Sequence, residues 1–421
     1  MMSNDDFITP LSRFVWDSRY RYRDATTVHD TDIDATWRRV ARAVAAADVQ
    51  AQDSRAQDFY QLLRDFRFLP GGRIMAGAGT GRRVTLFNCF VMGRIEDSMG
   101  GVFTALREGA LTMQQGGGVG YDFSTLRPAG SAACAVGGIA SGPVSFMRIW
   151  DSMCSTLLST GVRRGAMMAT LRCDHPDILE FIEAKQDAQA LRHFNLSVLV
   201  SDAFMEAVRR DADWALLFPV SPRQGGVAAA GATRVVRDWP GQDAPVTCRV
   251  TRVLRARDLW QRLMRASYDY AEPGVLFIDR INQWNNLGYR EQISATNPCG
   301  EIPLPPYGAC DLGSLNLTRF VERPFEGNAR IDFDALQDAA QLAVRFLDSV
   351  IDVSGFPLPQ QQQQALQTRR IGLGITGLAD ALIMLGIRYG AAQSFQLAAR
   401  MMQTICHAAY RSSVQLAREK G

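Results

Sequence analysis

The stretch that decides the fold lies at residues 297–317 and reads NPCGEIPLPPYGACDLGSLNL. Its first part is rich in proline and glycine, and its two cysteines, Cys299 and Cys310, stand eleven positions apart. Proline and glycine at this density disfavour a helix and predict a shaped loop. The apolar run at 311–317 is typical of a strand. The segment is therefore predicted to be a loop that leads into a strand.

Three side chains of this loop could act on one ligand. Asn297, Cys299 and Glu301 occupy alternate positions, and alternate side chains of an extended chain share one face. A thiol that loses a hydrogen atom, a carboxylate that acts as general base and an amide that fixes a hydroxyl suit radical chemistry on a sugar. On spacing alone, a proline-rich loop with two incidental cysteines is an equally good interpretation.

Strand-like and helix-like segments alternate along the rest of the chain. Apolar residues at three-and-four spacing around Trp37 and Phe59 predict helices in the first 70 residues, and Pro70 with two glycines then breaks the chain. Beyond it, the patterns predict strands at 83–92, 118–124, 194–200, 214–220, 275–279 and 311–317, and helices at 101–115, 145–158, 333–353, from 391 onward, and after Asp174 as N-cap. This alternation predicts an α/β architecture with parallel strands, divided into a helical region at 1–70 and an α/β part at 71–421.

Composition excludes several classes of protein. The chain has 421 residues and a formal charge of +3, too small a charge to indicate a nucleic-acid or membrane-surface partner. It contains no apolar run long enough to span a membrane, and its acidic N-terminus does not look like a signal peptide. We therefore expect a cytoplasmic protein.

The eight cysteines form no C-x-x-C pair and no cluster with zinc spacing. No metal site is predicted from them. A structural disulfide framework is not expected in a reducing cytosol, so a cysteine with a role is predicted to be catalytic.

The 297–317 segment resembles the finger loop of ribonucleotide reductases, which carries a thiyl-radical cysteine to the middle of a ten-stranded α/β barrel. Further blocks resemble the same family in the same order, over roughly residues 60–421: FNCFVMGRIEDSM at 87–99, GGGVGYDFSTLRP at 116–128, RDLW at 257–260, PGVLFIDRIN at 273–282 and RRIGLGITGLAD at 369–380. The resemblance implies that this chain holds the first half of the barrel and its finger loop, preceded by the helical region.

Roles for five residues follow from the resemblance. Cys299 resembles the thiyl radical that takes hydrogen from C3′ of the ribose. Glu301 would deprotonate the 3′-hydroxyl, and Asn297 would hold the ribose hydroxyls. Cys89 and Cys310 resemble the dithiol that reduces the substrate and ends as a transient disulfide.

The resemblance also implies substrate and effector contacts. By this resemblance Asn88, Gly117 and Gly118 would lie at the substrate. The missing Cβ at the two glycines would allow the backbone to approach a ligand closely. A nucleotide effector, a deoxynucleoside triphosphate or ATP, would bind at Asp97, Ser98 and Arg127. Two loops at 129–143 and 161–170 match those that connect the effector to the substrate. The second loop offers Arg163 and Arg164 for base or phosphate; a solvated basic turn is the alternative.

Three classes of the family differ in how the radical arises. Glu301 beside Cys299 argues against the glycyl-radical class, and the Pro-Cys-Gly-Glu and Arg-Arg-Ile-Gly-Leu-Gly blocks look like the adenosylcobalamin class. The resemblance therefore implies a vitamin B12-dependent ribonucleoside-diphosphate reductase that makes 2′-deoxyribonucleotides for DNA synthesis, with a thioredoxin-like reductant and a homodimeric assembly. The alternatives are the large subunit of a di-iron-dependent reductase and an inactive nucleotide-binding fragment.

The chain ends at Gly421 directly out of a helical pattern. In the family, the substrate-phosphate loop, the second half of the barrel and a C-terminal cysteine pair follow at that point. We therefore expect the 421-residue chain to be inactive alone, or to work with a separate polypeptide. Whether the substrate is a diphosphate or a triphosphate stays open, because the phosphate-binding residues would lie further on.

Overall fold

The computed structural model describes residues 9–133, 138–157, 165–187, 189–220, 233–242 and 244–420. The helices in those residues are, in chain order, α1 (Pro10–Arg19), α2 (Ile33–Ala45), α3 (Gln52–Leu63), α4 (Gly72–Gly77), α5 (Met99–Gln114), α6 (Pro143–Thr156), α7 (Ile178–Glu183), α8 (Asp202–Arg210), α9 (Ala256–Tyr270), α10 (Ile278–Gln283), α11 (Phe333–Val353), α12 (Pro359–Thr368), α13 (Leu378–Met384) and α14 (Ala392–Lys420).

The strands are mostly short. In chain order they are β1 (Phe68–Pro70), β2 (Cys89–Val91), β3 (Gly118–Asp122), β4 (Ala132–Ala133), β5 (Gly138–Ile139), β6 (Met167–Arg172), β7 (Phe194–Val200), β8 (Asp213–Pro219), β9 (Arg234–Arg237), β10 (Val246–Arg255), β11 (Gly274–Phe277), β12 (Ala295–Thr296), β13 (Pro303–Leu304), β14 (Ala309–Asn316), β15 (Val321–Glu322), β16 (Arg330–Ile331) and β17 (Ile371–Thr376).

The chain divides into two compact units. The first unit contains Met1–Asn88 and Cys310–Gly421, and the second contains Cys89–Ala309. The boundary between a helical region at 1–70 and an α/β part at 71–421 stays a prediction.

The core of the first unit is helical. Helices α2, α3, α11 and α14 pack together around a single apolar cluster. Helix α11 begins where the Asp332 carboxylate accepts a hydrogen bond from the backbone N–H of Ala335, which satisfies one of the otherwise unpaired donors of the first turn. Its Phe346 ring meets Phe59 and Phe68 edge-on, with ring centroids 5.1 and 5.6 Å apart. Burial of each such ring contributes about 2–3 kcal/mol.

Strand β14 organises the small sheet of the first unit. Residues 313–315 pair antiparallel with β1, and residues 311–316 pair parallel with β17. The polypeptide that follows the proline-rich loop is therefore fixed between two strands that are distant from it in sequence. Cys310 lies at the beginning of this strand.

The main sheet of the second unit is parallel. Its strands run in the order β2-β3-β6-β7-β11, and every neighbouring pair is parallel. Strands β6 and β7 are buried along most of their length, as expected of a parallel sheet covered on both faces. The prediction of an α/β architecture with parallel strands is confirmed.

Helix α5 packs on β3 in the second unit. The Tyr121 hydroxyl donates to the backbone oxygen of Ala105 at 3.1 Å. A Cβ at Gly109 would come within 1.8 Å of that hydroxyl, so only glycine permits this close approach. An antiparallel sheet in the order β8-β10-β9 and the β12–β13 hairpin complete the regular structure relevant to the site.

The predicted strand at 83–92 is wrong in its extent. Only Cys89–Val91 forms a strand. Upstream, the backbone N–H of Leu86 donates to the Ser354 hydroxyl and that of Phe87 to the Thr85 hydroxyl. Because side chains satisfy these donors, the apolar run forms an irregular buried segment.

The helix predicted to begin at Asp174 is also displaced. Helix α7 begins at Ile178, four residues later than that N-cap. The Asp174 carboxylate instead forms an ion pair with Arg172, at 2.7 Å. Arg172 lies at the end of the preceding strand, β6, and its ion pair occupies the carboxylate that would otherwise cap the helix.

Candidate active site

The residues that precede Glu301 form a tight turn. The backbone N–H of Gly300 donates to the carbonyl of Asn297 at 3.0 Å, and Gly300 has a φ of +83°. Asparagine first, proline second and glycine fourth is the pattern that type I turns favour. The prediction of an extended chain with three side chains on one face is therefore wrong, although the turn still brings Asn297 and Glu301 together.

Asn297 is the centre of a hydrogen-bond network in the second unit. Its side chain is fully buried. Its Oδ1 accepts from the backbone N–H of Ile302 at 2.9 Å and from the Thr296 hydroxyl at 3.1 Å. Its Nδ2 donates to Glu301 Oε2 at 2.6 Å and to Cys89 Sγ at 3.1 Å. The amide thus makes all the hydrogen bonds that it can make.

The network places a thiol beside a carboxylate. Cys89 is buried, and its Sγ lies 3.9 Å from Glu301 Oε1, to which it can donate. Glu301 is exposed. A carboxylate held in this way can accept a proton from a hydroxyl that enters from solvent. The same contacts orient the Cys89 sulfur toward the turn.

The loop packs against a glycine in the main sheet of the second unit. Gly120 lies in β3, and a Cβ at that position would be 1.8 Å from the backbone oxygen of Thr296. Any other residue would push away the backbone immediately before Asn297. Gly120 therefore permits the loop to sit directly on the sheet.

Cys299 lies at the corner of the turn and is exposed. The preceding carbonyl, that of Pro298, accepts a hydrogen bond from Asn195 Nδ2 at 2.6 Å. A Cβ at Gly300 would meet nothing within 4 Å. The thiol is therefore open to a large reactant while its backbone is fixed.

A cavity adjoins this corner of the loop. Its volume is about 390 Å³, and Asn195 forms part of its wall. The other lining residues are Gly165, Ala166, Met167, Arg192 and His193. His193 is oriented by Asp151, whose Oδ1 accepts from the His193 backbone at 2.8 Å and lies 3.2 Å from its Nδ1.

Cys310 belongs to the first unit. It is buried, and its thiol donates to the backbone oxygen of Asp311 at 3.4 Å. Asn88, the predicted substrate contact, also lies in the first unit, where its Oδ1 accepts from the backbone N–H of Arg73 at 3.3 Å. The network of Asn297, Cys89 and Glu301 thus belongs to one unit, and Cys310 and Asn88 belong to the other.

The two predicted substrate glycines differ in their surroundings. Gly118 stands opposite Cys89 in the parallel register of β2 and β3. A Cβ at Gly117 would collide with the Phe90 ring at 2.7 Å and with Thr112 at 2.9 Å. Internal packing therefore already requires glycine at 117, while Gly118 is the backbone neighbour of Cys89 in the sheet.

The predicted effector residues Asp97, Ser98 and Arg127 lie close together. Arg127 Nε donates to Asp97 Oδ2 at 2.8 Å, and the Arg127 backbone donates to Oδ1 at 3.2 Å. Ser98 is the N-cap of α5 and accepts from the N–H of Gly101 at 3.0 Å. Arg163 and Arg164, and parts of both predicted effector loops, lie outside the described residues.

The cysteines without an assigned role have different environments. Burial raises the pKa of Cys154 to about 11, that of Cys173 to about 12 and that of Cys248 to about 11, so these thiols stay protonated and act as small apolar side chains. Cys406 is exposed on α14. Cys134 lies outside the described residues.

Neither a metal-binding group nor a membrane-crossing helix is present among the described residues. They contain no group of three or more His, Cys, Asp or Glu side chains that could hold a metal ion. Across the same ranges, no helix is both long enough and apolar enough to cross a membrane.

Some contacts at the loop could not be inferred from the sequence. Asn195 and Gly120 lie far from the loop in sequence, and no local pattern marks either as a partner of residues 296–298. The turn itself carried a usable signal, since asparagine, proline and glycine stand at the positions that type I turns favour.

Comparison with known families matches nearly the whole chain. The model of the ribonucleotide reductase barrel domain covers residues 87–421. The model of the ribonucleotide reductase all-alpha domain covers residues 6–83. The helical N-terminal region and the α/β part predicted from the sequence therefore both have counterparts in this family.

Curated relatives support the same assignment. A vitamin B12-dependent ribonucleoside-diphosphate reductase of Mycobacterium tuberculosis is 42% identical over 388 residues, which are 91% of this chain and 51% of the relative. One of Thermoplasma acidophilum is 36% identical, over 86% of this chain and 43% of the relative. The ribonucleoside-diphosphate reductase large subunit of Vaccinia virus is 27% identical, over 91% and 49%. The chain spans about half the length of these relatives, and it belongs to the ribonucleotide reductase family.

Proposed function

We propose that this chain carries the radical site of an adenosylcobalamin-dependent ribonucleotide reductase, which converts ribonucleoside diphosphates to 2′-deoxyribonucleotides. The observation that carries the proposal is the network in which Asn297 joins Cys89 and Glu301 beside the exposed thiol of Cys299. Cys299 belongs to the same turn as Asn297, and a thiol, a carboxylate and a second thiol are the groups that this reaction requires.

In the proposed reaction, a thiyl radical at Cys299 removes the hydrogen atom from C3′ of the ribose. Glu301 accepts the proton of the 3′-hydroxyl, and a thiol of the redox pair protonates the departing 2′-hydroxyl, which leaves as water. Cys89 and Cys310 supply two electrons and the second proton, which complete the new C–H bond at C2′, and become a disulfide. Glu301 returns its proton to the 3′-oxygen, and Cys299 returns a hydrogen atom to C3′. One C–O bond is replaced by a C–H bond, and two thiols are oxidised.

Adenosylcobalamin would supply the radical that first removes the hydrogen atom from the Cys299 thiol. The residues present fit such a large reactant, because Cys299 is exposed and open space surrounds the α-carbon of Gly300. The identity of 42% and 36% to proteins named vitamin B12-dependent, against 27% to a protein named large subunit, favours this cofactor over a di-iron partner.

The partners are also proposals. A deoxynucleoside triphosphate or ATP would act as effector near Asp97, Ser98 and Arg127, a thioredoxin-like protein would restore the dithiol, and the assembly would be a homodimer. The remaining part of the relatives' length would supply the substrate-phosphate site, either in the same chain or in a separate polypeptide.

A reduction assay with adenosylcobalamin, dithiothreitol and ribonucleoside diphosphates tests the proposal. It is run on the 421-residue chain alone and with a polypeptide that corresponds to the remaining part of the relatives, and deoxyribonucleotide is measured by chromatography. We expect product only with the second polypeptide, none from Cys299→Ser, and at least a hundredfold less from Glu301→Gln. Cys406→Ser, which alters another exposed cysteine, is the matched control. Undiminished product from Cys299→Ser would exclude the mechanism.

A further inference from the structure

The catalytic loop, which carries Cys299, continues beyond β13. Residues 305–308, which connect β13 to β14, form the arm of this loop. Tyr307 lies on this arm with a φ of +60°. A tyrosine rarely adopts this left-handed conformation, and such a conformation persists only where its surroundings impose it. The surroundings of Tyr307 therefore show what fixes the arm.

Two neighbours in the second unit impose this conformation. A Cβ at Gly93 would lie 2.2 Å from the Tyr307 ring, so the ring occupies the space that only glycine leaves free. The Tyr307 hydroxyl donates to Glu108 Oε2 at 3.2 Å. Glu108 is on α5, the helix that packs on β3. The arm is thus tied to the same helix and sheet that support the rest of the site.

The hydrogen bond to Glu108 has a carboxylate as its acceptor, although its O···O distance is long. Both partners are half-buried, and a hydrogen bond to an ionised acceptor is stronger than one between neutral groups. Burial, together with the nearby Glu108 carboxylate, raises the pKa of Tyr307 to about 12. The hydroxyl therefore remains a donor at any pH used to assay thiols.

We propose that Tyr307 and Glu108 are positioning residues, which hold the arm of the catalytic loop and so keep Asn297 and Glu301 over Cys89. Neither residue is proposed to touch substrate. The backbone of the arm supports this role, because the carbonyl of Gly308, next to Tyr307, accepts from the N–H of Val91 at 2.9 Å, two residues beyond Cys89. The proposal rests on the proposed function, since it assigns the loop a catalytic position that must be maintained.

Cys89 provides a reporter that does not need turnover. Its thiol is buried and in contact with Asn297 and Glu301, so lifting the loop removes cover from it and raises its reactivity toward a thiol reagent. The rate of its alkylation therefore measures the population of the lifted loop. Cys173 and Cys248 are buried elsewhere in the same unit, so their alkylation rates report unfolding of the unit. Cys406 is exposed, so its alkylation rate reports the reactivity of the reagent.

The experiment alkylates the full chain with iodoacetamide and follows each cysteine by peptide mass spectrometry. We expect Tyr307→Phe, which keeps the ring, to raise the Cys89 rate about tenfold, the size expected for one hydrogen bond to a charged group. Glu108→Leu should match it, and the double variant should be no faster than either single variant. Glu108→Gln retains an acceptor and should stay within about threefold of the unchanged chain.

Tyr289→Phe is the matched control, because that side chain is 82% exposed, and it should leave every rate unchanged. An unchanged Cys89 rate in Tyr307→Phe would overturn the proposal. A parallel rise at Cys173 and Cys248 would overturn it as well, since the tyrosine would then stabilise the whole unit. Neither result changes the expected outcome of the reduction assay, which is measured separately. Failure of the positioning role can therefore be distinguished from failure of the proposed function.

Discussion

Asn297 and Asp311 are both polar, both almost fully buried and both part of the 297–317 stretch, yet their surroundings are opposite. Every hydrogen-bonding position of the Asn297 amide is filled. Neither carboxylate oxygen of Asp311 has a hydrogen-bond partner among the residues that the structure describes. Equal burial therefore has different consequences at the two positions.

The difference separates two physical roles for buried polar groups. A fully satisfied amide fixes a geometry, because each partner restrains it and moving it breaks several bonds at once. An unsatisfied carboxyl loses its hydration without replacement, which favours its neutral form. Burial raises the pKa of Asp311 well above its usual value, and nearby Asp348 adds to the effect. Arg369, whose charge partly counters this shift, is already paired with Asp348 and Asp352.

The largest expected effect comes from removing the support beneath Asn297. Gly120→Ala places a Cβ against the Thr296 carbonyl, and we expect the free energy of unfolding to fall by about 3 kcal/mol, the upper range for overpacking. Urea denaturation measures this change. Gly327→Ala, at a glycine with nothing within 4 Å of its Cβ position, should change stability by less than about 0.5 kcal/mol. Equal effects in the two variants would contradict the supporting role.

Removing the satisfied amide itself should have the next largest effect. Asn297→Ala leaves the N–H of Ile302 without its side-chain acceptor and the Glu301 carboxylate without a donor. We expect a loss of about 2 kcal/mol in urea denaturation. Asn286→Ala, at an exposed asparagine, is the control. A loss no greater than that of the control would mean that the network does not stabilise the loop.

Removing the unsatisfied carboxyl of Asp311 should raise the free energy of unfolding, the opposite of the change expected at Asn297. Because the folded pKa of Asp311 is raised, its protonated form supports the fold below the unfolded pKa, and this contribution is lost as pH rises through the folded pKa. We therefore expect Asp311→Asn to gain about 1 kcal/mol at pH 8 and nothing at pH 4. Unfolding curves from pH 4 to 9 measure this, with exposed Asp53→Asn as control. Parallel pH profiles of Asp311→Asn and the unchanged chain would refute the assignment.

The smallest effect is expected at the half-exposed pair of Asp97 and Arg127, whose side chains are 32% and 31% exposed. Water competes for both groups, so Arg127→Gln should cost about 0.5 kcal/mol. Denaturation at low and high salt measures the cost, which should shrink as salt rises. A loss above about 2 kcal/mol would mean that this half-exposed pair stabilises the fold as much as the buried and fully hydrogen-bonded Asn297 does.

Regular elements with strong periodicity could be predicted from the sequence. Strand β7 and helix α11 have the predicted bounds, because continuous apolar runs and three-and-four spacing determine them locally. The α/β architecture followed from the alternation of such segments. The family resemblance points to Asn297, Cys89 and Glu301, but not to the hydrogen bonds among them or to Thr296 and Ile302.

What could not be predicted depends on partners distant in sequence. The burial of Asp311 results from its pairing with Ile371 in β17, and the place of the loop results from the missing side chain at Gly120. The displaced start of α7 has the same origin, since Arg172 takes the carboxylate that should have capped the helix. A local pattern contains no information on such contacts.

The saturated amide of Asn297 also bears on how a sugar would be held and released. A hydroxyl that binds this amide has to displace one of its four present partners, so binding there is an exchange of hydrogen bonds. The net gain of an exchange is small, and the displaced internal partner stays nearby to reclaim its place. Asn297 would therefore favour rapid turnover of ligands over tight retention, and affinity would have to come from other parts of the nucleotide.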